Sequence, residues 1–240
     1  MPKAKRAKKI SLTKTDKKGL LLKQKIVDDV RSCVEEFSSI YVFTYRNMRN
    51  EKMKEIRQQM KPSKFFFGKN KVIGIGLGRN KDEEISNDLH KLTDTLKGSC
   101  GLLFTNSSKK EVTGWFDGFT YVDFARSGFK AKRTVDLCEG PLPEFSHAIE
   151  PYLRQLGLPT KLEKGVVTLI KDYTVCKKGA VLTPEQAKIL ELIGEKMAEF
   201  KLILRACWNK EKGFEQLSTE EEDEAEEDDD DDENDVEMDD

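Results

Sequence analysis

The chain has 240 residues and a formal net charge of −2, which hides a strong asymmetry. Residues 218–240 hold 17 Asp or Glu and no Lys or Arg. In the preceding 217 residues, 42 basic residues face the remaining 27 acidic ones, a net charge of +15. This length allows one large or two small domains with a real core, and so basic a body predicts a polyanionic partner.

The composition also excludes several classes of protein. No apolar run approaches the length of a membrane span, and the charged N-terminus lacks the apolar core of a signal peptide. The five cysteines are scattered without metal-ligand spacing, and the chain has only two histidines. We therefore expect a soluble intracellular protein in a reducing compartment, with no membrane contact and no structural zinc.

The first 25 residues carry ten Lys or Arg against one acidic residue, Asp16. Such a dense run predicts a nuclear import signal or a nucleic-acid-binding arm, although a purely solubilising tail has a similar composition. Because the body behind it is also basic, we favour the functional interpretation. The predicted signal consists of Lys3, Lys5, Arg6, Lys8 and Lys9.

A helix is predicted over Thr13–Phe37, because Leu22, Ile26, Val30 and Val34 recur at every fourth residue. These side chains form an apolar stripe that can pack on a sheet.

The stretch of residues 40–79 predicts two strands that each lead into a helix. The apolar run Ile40–Tyr45 is typical of a buried strand. Asn47, in the turn that follows, is suited to cap a helix, because its side-chain oxygen can accept an orphan N–H. This helix should end at Lys61, since a proline follows and disfavours helical geometry in the residue before it. The second strand is Phe65–Phe67.

The starts of these helices carry basic side chains. Free N–H groups and the positive end of the helix dipole favour anions at such positions. Arg46, Asn47 and Arg49 lie at the first start, and Gly68–Asn70 lies at the second. Parallel strands would bring both to one sheet edge, where two neighbouring corners suit a phosphate backbone. From this stretch alone, a solvated basic helix face explains the same residues equally well.

Strands and helices continue to alternate beyond residue 80. Helices are predicted over Asp82–Leu96, with Ile85 facing inward, and over Lys109–Phe116. A strand at Gly101–Thr105 lies between them. The alternation predicts the α/β class, as a layered α/β domain with mostly parallel strands.

Glycine and proline then break residues 124–183 into short pieces, which predicts a small inserted α+β domain with a strand at Val166–Ile170. A helix over Pro184–Gly194, capped by Thr183, follows, and Glu199–Trp208 is expected to return to the first sheet.

The predicted organisation has four parts. A basic arm covers residues 1–20, and the α/β domain combines 21–124 with 184–215. The inserted domain covers 125–183, and a disordered acidic tail covers 216–240.

Several motifs do not lead to chemistry. The glycines at 74, 76 and 78 resemble a dinucleotide fingerprint, but Arg79 replaces the last glycine. The Gly68-Lys69 pair lacks the Ser or Thr of a Walker loop. Neither His90 nor His147 lies in a nucleophile setting. We therefore predict a protein that is not an enzyme, with no catalytic residue, no cofactor and no metal.

Several segments resemble the ribosomal stalk-base protein family of the large subunit. Within that family, Leu182–Ala187 and Ala198–Lys201 resemble its assembly-factor branch. The likeness spans about residues 1–210, and motifs in a shared order are more specific than any one motif alone. The family segments, in chain order, are Asn47–Asn50, Phe67–Lys71, Gly101–Asn106, Ala125–Gly128, Leu156–Thr160 and Lys164–Val167.

The resemblance implies an rRNA-binding α/β domain formed by both ends of the body. It implies binding to large-subunit rRNA at the stalk base in nuclear pre-60S particles, beside a neighbouring stalk-base ribosomal protein. It further implies a role in rRNA processing in the nucleolus and nucleus, and leaves shuttling to the cytoplasm open. A phosphatase-like release factor is expected to trigger replacement by the mature stalk protein. The candidate RNA-binding residues are Arg46, Asn47, Arg49, Lys52, Arg57, Gly68, Lys69, Asn70 and Lys71.

Two features depart from the family pattern. Val72–Arg79 corresponds to a helix in the family, yet each of its glycines costs a helix about 1 kcal/mol relative to alanine. We predict a helix, because Asn70 can cap it. Mature stalk proteins also continue into helices that recruit small acidic stalk proteins, whereas here Phe214 is followed by an acidic run without aromatic residues. The chain is therefore expected to occupy the site without recruiting those proteins.

Two functions from other classes stay open. The acidic tail fits a nucleolar chaperone whose partners are basic proteins. A phosphate-handling enzyme that uses Lys69 is disfavoured, because no metal-binding carboxylate lies at a matching position.

Overall fold

The computed structural model describes residues 19–218, so the predicted import signal and most of the acidic tail lie outside the described residues. Within this range, every helix is too short or too polar to traverse a lipid bilayer. In chain order the helices and strands are α1 Gly19–Glu36, β1 Ser39–Arg46, α2 Asn50–Gln59, β2 Lys64–Phe66, α3 Asn70–Leu77, α4 Leu89–Asp94, β3 Cys100–Thr105, α5 Lys109–Gly118, β4 Thr120–Phe124, β5 Val135–Leu137, β6 Gly140–Pro141, α6 Glu150–Gln155, β7 Thr160–Glu163, β8 Val166–Leu169, β9 Tyr173–Cys176, α7 Pro184–Ile193, β10 Lys196–Asn209 and β11 Gly213–Gln216.

The described chain divides into two compact units. The first unit comprises residues 19–44, 60–108 and 204–218, and the second comprises 45–59 and 109–203. The predicted mixed α/β class is confirmed, since helices alternate with strands along most of the chain.

The core of the first unit packs one face of its strands against α1, α3 and α4. Helix α1 contributes Val30 and Val34 of the predicted apolar stripe, whereas Leu22 is exposed. Trp208 of β10 lies in the same core, and its indole Nε1 donates a hydrogen bond of 2.9 Å to the carbonyl of Asn87. The last strand thus returns to the first sheet, as predicted.

The prediction of mostly parallel strands is wrong. The strand order is β11-β10-β1-β3-β2, with β4 also pairing with β10, and the β1–β3, β2–β3, β4–β10 and β10–β11 pairs are antiparallel. The strand β3 inserts between β1 and β2, so those two strands run in the same direction without being neighbours. Sequence alternation fixes the direction of successive strands but not which strand lies between them.

Residues 72–77 form a helix, as predicted, and the glycines have a packing role. A Cβ at Gly76 would lie 2.9 Å from a side-chain carbon of Val30, and one at Gly74 would lie 2.8 Å from Thr93. Without these Cβ atoms, α3 can approach α1 and α4 closely. The predicted cap is wrong, because Lys69 is the N-cap residue and makes no side-chain cap hydrogen bond.

Two other helix predictions need correction. Residues 82–96 hold only the short α4, because Asp88 adopts a left-handed conformation (φ 68°) that interrupts any helix through it. Ile85, expected to face inward, is 42 % exposed. Helix α2 starts at Asn50, so Asn47 does not cap it.

The second unit contains the short β-pieces of the inserted region. The hairpin β7–β8 extends to β6, and β5 pairs with β9. Helix α7 is capped as predicted: Gln186 and Thr183 satisfy each other's backbone N–H groups in a capping box. Its Ile189 and Leu190 share a core with Leu169 and Val175 of the inserted strands.

The predicted domain boundaries stay a prediction. The shared core places α7 with the inserted strands, whereas the sequence analysis assigns residues 184–194 to the other domain. An amphipathic helix buries its apolar stripe wherever a complementary surface lies, and sequence periodicity does not name that surface.

Candidate nucleic-acid interface

The predicted RNA-binding residues fall into two segments, one in each unit. Gly68–Lys71 belongs to the first unit, and the residues from Arg46 to Arg57 belong to the second. Each segment has its own geometry and its own electrostatics.

The segment Gly68–Lys71 begins helix α3. The N-cap Lys69 is extended (φ −65°, ψ 125°), and its carbonyl accepts hydrogen bonds from the backbone N–H groups of Val72 at 2.8 Å and Ile73 at 3.1 Å. Val72 and Ile73 are buried, so the first turn is fixed by packing. Lys69 and Lys71 are exposed on this anchored turn.

Asn70 ties the same turn to the loop before β3. Its Nδ2 donates a hydrogen bond of 2.9 Å to the carbonyl of Gly98, and its Oδ1 accepts one of 3.2 Å from the Sγ of Cys100. Burial raises the pKa of the Cys100 thiol to about 11, although the hydrogen bond to Asn70 opposes this rise. The thiol therefore stays protonated and donates. Asn70 acts as a brace, and the lysines on either side point to solvent.

The segment around Arg49 is built differently, because its best-placed cation is already engaged. The Nε of Arg49 lies 2.5 Å from Oδ2 of Asp123, and its guanidinium also donates to the carbonyl of Phe124. The side chain of Arg49 is only 11 % exposed. Asn47, with φ 51°, donates from Nδ2 to the carbonyl of Glu199 at 3.1 Å. Both side chains hold the turn after β1 to β4 and β10.

The ionisation of Asp123 reflects this contact. Burial alone would raise the pKa of the Asp123 carboxyl, but hydrogen bonds from the backbone of Phe124 and from Arg49, together with the charge of Arg49, lower it below its ordinary value. The carboxylate is therefore stabilised in its charged form, and the ion pair persists at neutral pH.

The cations of α2 are partly engaged as well. Lys52 lies 2.9 Å from a carboxylate oxygen of Glu55, and its Nζ lies 4.7 Å from the centre of the Tyr121 ring. The hydrogen bond to Glu55 raises the pKa of Lys52. Arg46 and Arg57 are exposed. The partners Asp123 and Glu55 were missed by sequence reasoning; Glu55 follows Lys52 at helical spacing, a visible signal, whereas nothing in the sequence links Asp123 to Arg49.

No group of three or more His, Cys, Asp or Glu within residues 19–218 is arranged to hold a metal ion. What the two segments offer is a set of ammonium and guanidinium groups on helix starts and helix faces. Such groups bind anions by charge and hydrogen bonding and need no cofactor.

Comparison with known proteins identifies the family. The model for ribosomal protein L10 matches residues 19–120, and the model for the insertion domain found in the 60S ribosomal members of that family matches residues 125–194. The archaeal ribosomal protein uL10 of Thermococcus onnurineus is 26% identical over 78% of this chain and 55% of its own length.

Ribosome assembly factors match over more of their length. The chain is 42% identical to ribosome assembly factor mrt4 of Dictyostelium discoideum, over 88% of this chain and 95% of that protein. It is 37% identical to mrt4 of Neurospora crassa and 33% identical to MRT4 of Saccharomyces cerevisiae, over 89% and 88% of this chain and 92% and 95% of those proteins. The resemblance predicted from the motifs is confirmed, and the chain belongs to the Mrt4 family of ribosome assembly factors, which are related to ribosomal protein L10 and are not enzymes.

Proposed function

We propose that this protein binds large-subunit rRNA at the base of the stalk in nuclear pre-60S particles. It holds the site until the mature stalk protein replaces it. The observation that carries the proposal is the start of α3, where Lys69 and Lys71 are exposed on a turn braced by Asn70. A fixed pair of ammonium groups at a helix start is suited to successive phosphates of folded RNA.

The second segment adds to this surface. Arg46, Lys52 and Arg57 supply further positive charge on the turn after β1 and on α2. Arg49 supports them by holding the turn to Asp123 and does not itself need to reach a phosphate. RNA binding is thus divided between residues that contact the backbone and residues that position them.

The placeholder role follows from kinship. A chain related to ribosomal protein L10 can present the same rRNA-binding surface as that protein, so the two would compete for one site. The cations at positions 3–9 would direct the chain to the nucleus, where pre-60S particles form. A neighbouring stalk-base ribosomal protein and a phosphatase-like release factor complete the proposed set of partners.

The proposal is tested by crosslinking in cells followed by RNA sequencing. We expect reads concentrated at the stalk base of pre-60S rRNA, and in vitro a clear preference of the full chain for that fragment over unrelated RNA of equal length. Purified uL10 should displace the chain from the fragment. Equal affinity for both RNAs, or simultaneous binding of both proteins, would contradict the proposal.

A second candidate, a nucleolar chaperone for basic proteins, is favoured by one observation, the 17 carboxylates of residues 218–240. The two functions separate cleanly. Chaperoning requires the tail, whereas rRNA binding requires Lys69 and Lys71. A chain truncated before residue 218 that still binds the stalk-base fragment, but no longer binds basic proteins, would assign one activity to each part.

A further inference from the structure

The second unit carries another concentration of cations, on residues 126–134 and 177–182, which we call the basic ribbon. Main-chain hydrogen bonds join the two stretches: the N–H of Ala131 donates to the carbonyl of Ala180 at 2.9 Å, and the N–H of Gly179 donates to that of Ala131 at 2.7 Å. The ribbon continues into the β5–β9 pair. Its backbone is therefore fixed on both sides.

The end of the ribbon is a tight turn that presents two lysines. The N–H of Ala180 donates to the carbonyl of Lys177 at 3.1 Å, and Gly179 has φ +83°, the conformation that a type II turn requires at its third residue. The backbone N–H of Lys178 donates to Oγ1 of Thr134 at 3.0 Å. Lys177 and Lys178 thus lie on a turn held by its neighbours.

The side chains of the ribbon sort onto two faces. Ala131 is 2% exposed and belongs to the core of the unit, so the flanking Lys130 and Lys132 point to the opposite, solvent face. Val181, the bridge partner of Lys130, is 64% exposed on that face. Phe129 packs against the core.

The positive charge of the ribbon is mostly uncompensated. Lys132 pairs with Glu199 at 3.1 Å, and Arg133 pairs with Glu195. The remaining four cations have no ion-pair partner within residues 19–218. These exposed cations are Arg126, Lys130, Lys177 and Lys178.

We propose that the basic ribbon is a second RNA-binding site, which takes the phosphodiester backbone of an RNA segment independently of its sequence. Alternate residues on one strand face lie about 6.6 Å apart, which places successive ammonium groups within reach of neighbouring phosphates. A protein partner fits this surface less well, because protein interfaces rest on aromatic and apolar anchors, and Val181 is the single large apolar side chain exposed on the ribbon.

The test uses the full chain with Lys130→Gln, Lys177→Gln and Lys178→Gln combined. Its matched control removes three lysines of the same unit, through Lys161→Gln, Lys171→Gln and Lys188→Gln. Both triple variants change the net charge by −3, but Lys161 and Lys188 are already paired with Glu163 and Glu191. Affinity is measured against the stalk-base rRNA fragment and an unrelated RNA of equal length, between about 50 and 200 mM salt.

The ribbon variant should lose at least about tenfold in affinity for both RNAs at low salt, with the salt slope reduced by about two. The control should change much less. Equal losses in both variants would reduce the effect to general charge and overturn the inference. So would an unchanged RNA affinity accompanied by loss of binding to a synthetic acidic peptide, which would make the ligand a protein.

The outcome is separable from the proposed function. That proposal rests on Lys69 and Lys71 and on a preference for the stalk-base fragment. If changes at Lys69 and Lys71 abolish the preference while the ribbon variant matches its control, the inference fails alone. If the ribbon variant weakens both RNAs and no preference exists, the proposed function fails alone.

Discussion

The two predicted basic segments look alike in the sequence and differ in the structure. At the start of α3, Lys69 and Lys71 are exposed, and the polar side chain between them is turned inward to Gly98. At the turn before α2, Arg49 is nearly buried against Asp123. One segment presents its cations to solvent, and the other uses its strongest cation internally.

The difference teaches that sequence charge is an upper bound on the charge available to a ligand. An arginine that already makes charge-assisted hydrogen bonds gains little from a phosphate, since the phosphate must replace contacts that cost nothing further to keep. An exposed lysine on a fixed turn loses only hydration and side-chain freedom. The start of α3 is therefore the stronger anion site, although Arg49 has the better geometry for a phosphate in isolation.

The largest expected effect concerns stability. Arg49→Ala removes the partner of a mostly buried carboxylate and a hydrogen bond to Phe124, so the free energy of unfolding should fall by about 2–3 kcal/mol. The measurement is the midpoint of urea unfolding, with Arg57→Ala as the control on an exposed position of the same segment. A loss below about 0.5 kcal/mol, as expected at ordinary surface sites, would show that the ion pair is not structural.

The pH dependence of this loss has a definite sign. The folded-state pKa of Asp123 lies below its ordinary value of 3.8, so the ion pair stabilises the fold fully above that value and is lost as the pH falls through the lower, folded-state pKa. The difference between the native chain and Arg49→Ala should therefore be constant from about pH 5 to 7 and shrink below about pH 4. A difference that grows on acidification would contradict the assignment.

The next effect concerns RNA affinity. Lys69→Ala with Lys71→Ala should weaken binding to the stalk-base fragment by about tenfold or more at low salt and reduce the salt slope by about 1.5–2. Lys52→Ala with Arg57→Ala removes the same net charge. We expect it to reduce the slope by less than about one, since Lys52 already pairs with Glu55. Equal slopes for the two double variants would remove the distinction between the segments.

How far sequence reasoning reached follows the same division between local and long-range information. The capping box of α7 is local, because Thr183 and Gln186 are three residues apart, and it was predicted correctly. The contact between Arg49 and Asp123 spans 74 residues, and no periodicity or spacing announces it. The family motifs identified the fold despite this, because they carry the topology that local patterns lack.

Helix α3 shows where local rules and packing disagree. Its glycines lower the intrinsic propensity for a helix, and the apolar residues between them read as a strand. The structure uses the missing Cβ atoms for close approach to α1, where a Cβ at Gly76 would lie 3.0 Å or less from Val30. Tertiary packing thus outweighs propensity, and only the family likeness pointed to the helix. The insertion of β3 between β1 and β2 was equally invisible, which produced the incorrect parallel sheet.

A smaller effect separates positioning from contact at the start of α3. Asn70→Ala removes the brace to Gly98 without removing charge, so it should cost about 1 kcal/mol of stability and weaken RNA binding about two- to threefold with the salt slope unchanged. Asn80→Ala, on an exposed neighbouring residue, is the control. A reduced slope would mean that Asn70 acts through the charge of its neighbours, and unchanged affinity would mean that the lysines need no brace.

The smallest effect concerns the acidic tail, and it tests how much of the exposed charge is available in the full chain. Residues 218–240 carry 17 carboxylates that can compete with RNA for the exposed lysines. Deleting them should tighten binding to arbitrary RNA a few-fold at low salt and have little effect at high salt, where screening weakens the competition. The gain should also vanish in the Lys69→Ala, Lys71→Ala background if the tail competes for the start of α3, and persist if it competes elsewhere. An affinity that does not change on deletion would leave the tail no part in RNA binding and would make the difference between the two segments a property of the folded units alone.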